Sequence, residues 1–218
     1  MGRSINKALV IAPHADDETF GCGGTIAKLT FEMVQVDLLL GSLGYDNESH
    51  TIRRKELDNA VDILGINNYK VITHIGAERY QDRMPQYGLI DAIEKEIQDH
   101  DLVFIPYPSH HQDHIAMHRA CMAALRPGAM YQPKMILMYE YTYPTWEVPD
   151  QYNGRLFVDI SYWIDKKIGA ILAYNSQLRG EYNPVSIRSS KIMAKSRGLS
   201  IGVDCAEMFY VIQMKDIL

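Results

Sequence analysis

The sequence predicts one α/β domain over residues 1–218, with a Rossmann-like three-layer α/β/α sandwich and a mostly parallel sheet. Apolar runs of strand length alternate with amphipathic segments of helix length, which is the pattern of a parallel sheet covered by helices. Two of the apolar runs, 8–12 and 102–105, are each followed by a polar turn and then a helix. The 218 residues, 47% of them hydrophobic, suffice for one substantial core, and no repeat or linker divides them.

Each element follows from one of two patterns: a strand where apolar residues run together, and a helix where they recur at the helical period. The helix that ends at Gly65 is the clearest, because Leu57, Ala60 and Leu64 share one face and a glycine closes it. A later helix is predicted to stop before Pro127. In order, the predicted elements are strand 8–12, helix 25–33, strand 34–40, helix 53–64, strand 69–75, helix 89–98, strand 102–105, helix 115–125, strand 134–141, strand 156–159, helix 161–174, helix 185–197 and strand 208–214.

Three glycines, Gly21, Gly23 and Gly24, precede the first predicted helix. Such glycines either cradle a phosphate or let a helix approach a strand closely. A Walker loop requires Gly-Lys-Ser/Thr, and a dinucleotide fingerprint that starts at Gly21 requires glycine or alanine where Ile26 stands. We therefore favour the close approach.

The composition limits the binding partners and the cellular compartment that can be expected. The net charge is −5 and no long run of lysine or arginine occurs, so we expect no nucleic-acid partner. Cys22, Cys121 and Cys205 are widely spaced and form no CxxC pair, which predicts reduced core residues in a cytoplasmic protein. The first residues lead directly into a strand, so no signal peptide is expected. No apolar run approaches the ~20 residues of a membrane span.

The first predicted strand ends in one histidine and three consecutive carboxylates, His14, Asp16, Asp17 and Glu18, with Ala15 between them. Adjacent acids at the end of a buried strand repel one another and are costly to desolvate, so a cation, an arginine or solvent must compensate them. The neighbouring imidazole favours a divalent metal such as zinc. A tight turn can aim His14 and Asp17 at one point and leave Asp16 free for proton transfer.

A second polar turn supplies the missing ligand. Residues 109–114, Ser-His-His-Gln-Asp-His, follow the predicted strand 102–105. In a parallel α/β sheet the carboxyl ends of the strands lie on one side, and ligands bind in the crevice there. We therefore expect the two turns to meet despite the long stretch of chain between them.

These motifs resemble those of a known family. His14-Ala15-Asp16-Asp17-Glu18 is similar to the HPDDE signature of the LmbE-like (PIG-L) N-acetylglucosaminyl deacetylases, and 111–114 resembles their HxDH motif. Ala15 stands where the family commonly has proline, which alters no ligand. The resemblance runs almost from end to end. Later segments that look like family landmarks are 53–56 (Arg-Arg-Lys-Glu), 174–177 (Tyr-Asn-Ser-Gln) and 206–209 (Ala-Glu-Met-Phe).

The resemblance implies a fold, an activity and roles for individual residues. It implies an LmbE-like domain that deacetylates an N-acetylglucosamine-type sugar or its conjugate, with Zn²⁺ or another divalent metal such as Fe²⁺ and a metal-activated water. The implied metal ligands are His14, Asp17 and His114. The implied catalytic residues are Asp16 as general base, His111 as oxyanion stabiliser or acid, and Asp113, which would orient His111 and raise its pKa. Arg53 is implied to contact substrate.

Two other functions stay open at this point. One is a metal-dependent hydrolase of another bond, such as a phosphoester, although many such enzymes use two metals and we find ligands for one. The other is a metal- or nucleotide-binding module whose ligands serve stability. The aromatic loop 142–154 either stacks on a sugar or stiffens the surface, and it leaves self-association open. The roles of four further residues also stay unassigned: Asp82, His110, His118 and Glu207.

Overall fold

The computed structural model describes residues 5–43, 47–72, 86–140 and 154–215. These residues form seven strands and six helices. In chain order they are β1 (Lys7–His14), α1 (Asp17–Phe31), β2 (Gln35–Ser42), α2 (Asn47–Leu64), β3 (Asn68–Val71), α3 (Gln86–Glu96), β4 (Leu102–Pro106), α4 (Gln112–Ala124), β5 (Met135–Tyr139), β6 (Arg155–Asp159), α5 (Ile164–Ala173), α6 (Ile187–Leu199) and β7 (Ala206–Met214).

The strands of the described chain form one sheet in the order β3-β2-β1-β4-β5-β7-β6. The first five in this order are parallel, and β7 runs antiparallel to both of its neighbours. The predicted mostly parallel sheet is confirmed. Because the chain winds from β1 to one side and later returns through β4 on the other, the carboxyl ends of β1 and β4 flank a topological switch point.

Helices cover both faces of this sheet. Alternate residues of the central strands, such as Val10 and Ile11 of β1, point to opposite faces and enter two separate apolar clusters. One cluster contains residues of α1, α2 and α5, and the other contains residues of α3 and α4. The predicted three-layer sandwich is therefore confirmed.

Helix α1 differs from its prediction. It begins at Asp17, well before residue 25, and therefore contains the three glycines, with non-helical dihedral angles at Cys22. A Cβ built on Gly21 would lie 2.2 Å from the Tyr139 ring, and one on Gly24 would lie 2.6 Å from Ile160. The glycines thus allow the close approach to β5 and to the end of β6 that we favoured over a phosphate loop.

A buried ion pair provides hydrogen-bond partners for the main-chain groups at the break in α1. Where a helix is interrupted, main-chain amides and carbonyls lose their intrahelical partners. Glu207 of β7 accepts the N–H groups of Gly24 (2.9 Å) and Thr25 (2.7 Å), and Lys167 of α5 donates to the Phe20 carbonyl (2.8 Å). Lys167 Nζ and Glu207 Oε1 are 2.6 Å apart. Each buried charge is therefore both paired and hydrogen-bonded, as its desolvation requires.

Substitution of Gly21 by alanine is expected to destabilise the fold. The added methyl group would overlap the Tyr139 ring, and overpacking of this kind lowers the free energy of unfolding by about 1–3 kcal/mol. Gly169 of α5 is the matched control, because its nearest neighbour would lie 3.8 Å from the new Cβ. There, alanine should raise the free energy of unfolding by up to about 1 kcal/mol. Urea denaturation measures both values, and effects of equal sign would contradict the close approach.

Other expectations can be compared with the described residues. Cys22, Cys121 and Cys205 are free and buried, as predicted. No helix within the described ranges is both long enough and apolar enough to cross a membrane. Arg53 lies in the second turn of α2, not the first, because the helix begins at Asn47.

Candidate active site

The first half of the site is the turn between β1 and α1. His14 is the last residue of β1 and Asp17 the first residue of α1. The main-chain N–H of His14 donates to Asp17 Oδ2 (2.9 Å), which holds the carboxylate against the end of the strand. Asp17 is 2% exposed. This short-range hydrogen bond is what brings the side chains at positions 14 and 17 together.

The second half is the turn between β4 and α4. His111 is the N-cap of α4, and its Nδ1 accepts the main-chain N–H of Asp113 (3.2 Å). Asp113 and His114, in the first turn of the helix, are buried. Since β4 pairs directly with β1, the two polar turns lie side by side at the same edge of the sheet.

Three side chains from the two turns converge on one point. Asp17 Oδ2 lies 3.4 Å from His14 Nδ1 and 3.3 Å from His114 Nε2. All three ligand atoms lie within 4.8 Å of one another, so His14, Asp17 and His114 form a group that can hold a metal ion. Ligands about 2.0–2.1 Å from a tetrahedral zinc are about 3.3–3.4 Å apart. The residues present therefore fit such an ion, and a three-ligand site leaves a position for substrate or water.

The ionisation of Asp17 suits a ligand. Burial alone would raise the pKa of this carboxyl, but the charges and hydrogen bonds of His114 and His14 outweigh burial and hold the pKa well below its usual range. A carboxylate that stays ionised is the form that binds a cation.

Asp113 orients a different imidazole from the one expected. Its Oδ2 lies 2.8 Å from Nε2 of His14, a hydrogen-bond distance that is shorter than the separation of two ligands on one metal. Nε2 of His14 is therefore hydrogen-bonded to Asp113, and Nδ1 is the ring nitrogen that faces Asp17. Although burial lowers the pKa of His14, the hydrogen bonds to Asp113 and Asp17 raise it to about 9. Histidine ligands commonly have such a carboxylate partner, which fixes ring orientation.

The expectation for His111 therefore needs correction. Within the turn, Nδ1 of His111 accepts a hydrogen bond from the main-chain N–H of Asp113. A neutral ring that accepts at Nδ1 carries its proton at Nε2. Burial and the charges of His14 and His114 lower the pKa of His111, and they outweigh the opposing effect of Asp113. The ring lies beside the ligand histidines, with centroids 5.1 Å from His14 and 5.4 Å from His114.

Asp16 has an unusual backbone. Its φ is 130° and its ψ is −30°, in a region that side-chain-bearing residues rarely occupy. Such strain costs about 1–3 kcal/mol and concentrates at functional sites. Burial and the charge of Asp17 raise the pKa of the Asp16 carboxyl well above its usual value, and the Arg53 charge acts in the opposite direction. A raised pKa is what a carboxylate needs to accept a proton near neutral pH.

Arg53 reaches this site from α2. Its Nη1 lies 3.5 Å from the carbonyl oxygen of Ala15, and its Nη2 donates to Oε1 of Gln177. The guanidinium is half-buried beside Asp16. The side chain of Arg53 therefore lies beside the polar turn that follows β1, and its contact with substrate stays a prediction.

Comparison with known proteins identifies the family. The PIG-L family model, described as GlcNAc-PI de-N-acetylase, matches residues 9–125, a stretch that contains both polar turns and Arg53. The chain belongs to the PIG-L family. It is therefore a member of a family of deacetylases, and the resemblance seen in the two motifs is confirmed.

Relatives of this PIG-L protein bear deacetylase names. The probable N-acetyl-alpha-D-glucosaminyl L-malate deacetylase 2 of Bacillus cereus is 30% identical over 187 residues, which cover 78% of this chain and 82% of the relative. The diacetylchitobiose deacetylase of Thermococcus kodakarensis is 28% identical over 196 residues, which cover 79% and 70%. The crystal structure of a conserved protein from Thermus thermophilus superposes with a TM-score of 0.76 at 27% identity, covering 99% and 97%.

Several candidates do not belong to the convergent group of this PIG-L protein. His118 is buried, and its Nδ1 lies 3.0 Å from the Pro106 carbonyl oxygen, so it binds β4. His110 is exposed. Glu207 accepts main-chain N–H groups at the break in α1. Asp82 and most of the aromatic loop 142–154 lie outside the described residues.

Sequence reasoning missed two contributions to the architecture around the site. Lys167, the partner of Glu207, received no role, although it stands among the apolar residues Ile164, Ile168 and Ile171 of α5. A lysine on an apolar helix face is a signal for a buried ion pair. Tyr174 was quoted only as part of a motif, yet its hydroxyl donates to Glu18 Oε1 (2.7 Å) next to Asp16.

Proposed function

We propose that this PIG-L protein is a zinc-dependent deacetylase that removes the acetyl group from an N-acetylglucosamine-type amino sugar or a conjugate of it. The observation that carries the proposal is the convergence of His14, Asp17 and His114 on one point with Asp16 beside them. The names of the relatives, which refer to N-acetylglucosaminyl malate and diacetylchitobiose, support an N-acetylated sugar as substrate.

His14 through Nδ1, Asp17 through Oδ2 and His114 through Nε2 would hold the metal. Bound zinc lowers the pKa of water to about 7 and polarises a carbonyl oxygen. Two imidazoles and one carboxylate are also accepted by Fe²⁺, so the metal test below includes iron. The Asp113 carboxylate keeps the ring of His14 in the orientation that ligation requires.

Asp16 acts as the general base. Its carboxylate takes one proton from the attacking water, and the oxygen of that water forms the new bond to the acetyl carbon. The same carboxyl group then delivers the proton to the sugar nitrogen as the C–N bond breaks, which yields acetate and a free amine. Burial beside Asp17 supports this role, because it raises the pKa of Asp16 and a raised pKa favours uptake of a proton by the carboxylate.

His111 stabilises the charge that develops on the carbonyl oxygen. With Nδ1 engaged by the Asp113 N–H, the neutral ring presents an N–H donor at Nε2, and a hydrogen bond from it strengthens as the oxygen becomes anionic. Arg53 contributes a fixed positive charge at the rim of the site and contacts polar groups of the substrate. We place the enzyme in the cytoplasm, where its three free, buried cysteines stay reduced.

An acetate-release screen tests the proposed function. Purified protein loaded with zinc is incubated with N-acetylglucosamine, diacetylchitobiose and N-acetylglucosaminides that differ in the aglycone, and acetate and free amine are measured. We expect equal amounts of the two products from at least one substrate. A phosphomonoester serves as the comparison substrate. Phosphate release with two metals bound per chain, and no acetate from any sugar, would favour the phosphoester hydrolase instead.

A further inference from the structure

The peptide unit between Ala15 and Asp16 is held at both of its polar atoms. Its N–H, from Asp16, donates to Oε2 of Glu18 (3.0 Å). Its carbonyl oxygen, from Ala15, lies 3.5 Å from Nη1 of Arg53. Immediately after this peptide comes the positive φ of Asp16. Rotation of the peptide plane is the simplest motion that would relieve that φ, and the contacts of Glu18 and Arg53 oppose it.

The contact on the N–H side depends on Tyr174. Glu18 is fully buried, and its other oxygen, Oε1, accepts the hydroxyl of Tyr174 (2.7 Å) and that of Thr19 (2.6 Å). Tyr174 follows the last residue of α5 and is itself fully buried. Its hydroxyl therefore fixes the rotation of the Glu18 carboxylate, and so the direction in which Oε2 meets the Asp16 N–H.

The contact on the carbonyl side depends on Gln177. Gln177 Oε1 accepts from Nη2 of Arg53, while its amide nitrogen donates to Ser176 Oγ (2.7 Å). Ser176 is in turn bound to Glu56 of α2 through its main-chain N–H and its hydroxyl, both at 2.7 Å. One short segment, 174–177, thus supports both side chains that hold the Ala15–Asp16 peptide, Glu18 and Arg53.

We propose that Tyr174 and Gln177 are positioning residues that fix the orientation of the Ala15–Asp16 peptide and, through it, the direction of the Asp16 carboxylate. The inference rests on the proposed role of Asp16 as general base. The two residues act through Glu18 and Arg53, and neither is assigned a contact with the substrate. Their removal should misdirect the base and leave the metal ligands in place.

The variant Tyr174→Phe tests the N–H side, because it removes one hydroxyl and keeps the ring. We expect kcat to fall about 10- to 100-fold, as for a small misplacement of a reacting group, with KM and zinc affinity within about 2-fold of the parent. Tyr139→Phe is the matched control. Tyr139 is also fully buried, but its hydroxyl donates to the Ile11 carbonyl (3.0 Å) rather than to Glu18. It should lower thermal stability to a similar extent and leave kcat unchanged.

Two variants of Gln177 test the carbonyl side independently. Gln177→Met removes the acceptor for Arg53 and is expected to lower kcat at saturating substrate. Gln177→Glu retains an acceptor oxygen and is expected to restore kcat to within about 3-fold of the parent, on the scale of one hydrogen bond. If Tyr174→Phe fails to fold, this pair decides the proposal.

Three outcomes would overturn the inference: parental kcat in the folded variants Tyr174→Phe and Gln177→Met, an equal loss of kcat in Tyr139→Phe, or an equal loss in Gln177→Glu and Gln177→Met. Assay of Asp16→Asn separates this failure from failure of the proposed function. An inactive Asp16→Asn beside fully active Tyr174→Phe and Gln177→Met overturns only the positioning role. A fully active Asp16→Asn overturns the proposed base and the positioning role together.

Discussion

Replacement of Asp16 by asparagine is expected to lower kcat by about 10²- to 10⁴-fold, the range that general acid–base catalysis contributes. The amide is nearly isosteric with the carboxylate but cannot take up the proton of the attacking water. Because the three candidate ligands are untouched, zinc should remain bound at one ion per chain. Acetate release under saturating substrate and metal analysis of the same sample measure the two effects.

Asp99→Asn is the matched control for this prediction. Asp99 also has a positive φ, of 65°, but it is exposed and precedes β4, at the edge of the sheet opposite the site. Its substitution changes the same chemical group at another residue of positive φ and should leave kcat unchanged. Near-parental turnover by Asp16→Asn would show that another group serves as the base.

Removal of the metal is expected to abolish acetate release, and one equivalent of zinc should restore it. His114→Ala deletes one of three ligands, so zinc should not restore its activity. Asp113→Ala is the graded case, because it removes the carboxylate that orients His14 and should weaken zinc binding about 10- to 100-fold. Zinc affinity is measured by competition with a chelator, and activity by titration of the metal-free protein with zinc and with iron.

His100→Ala is the control for the metal experiment. His100 is buried at the opposite edge of the sheet, where its Nε2 lies 3.2 Å from Asp37. Its loss should lower stability and leave the zinc content at one ion per chain. Full activity in the presence of a strong chelator, with no metal detected, would rule out the metal-dependent mechanism.

The periodicity of the sequence predicted most of the elements, because burial of apolar side chains dictates where strands and helices can form. It misplaced the start of α1 by several residues. Gly21, Gly23 and Gly24 were placed before the predicted helix, and glycine is indeed a poor helix former. In the fold the helix nevertheless includes them. Their missing side chains leave room for Tyr139 and Ile160, and Lys167 and Glu207 provide hydrogen-bond partners for the main chain where the helix is interrupted.

In the candidate site, too, some features were predicted from the sequence and others depend on the tertiary structure. The sequence predicted that the two polar turns meet, and the family resemblance of the motifs implied His14, Asp17 and His114 as ligands; the structure brings these three side chains together, because the turns follow neighbouring strands. The family resemblance implied His111 as the partner of the Asp113 carboxylate. The carboxylate instead contacts His14, from which it is separated by 99 positions. Such a choice depends on how two adjacent turns face each other, which no local pattern encodes.

The sequence by itself predicted the α/β class and the mostly parallel sheet, because burial of apolar side chains dictates where strands and helices form, and the resemblance of its two motifs to a known family implied the candidate metal ligands. Only the tertiary structure decided how the backbone at Asp16 is held. The strained peptide before Asp16 is held by Glu18 and Arg53, and these are held in turn by a segment that begins at Tyr174. Hydrogen bonds between residues so distant in the chain exist only after the layers have packed, since packing alone brings their atoms within reach.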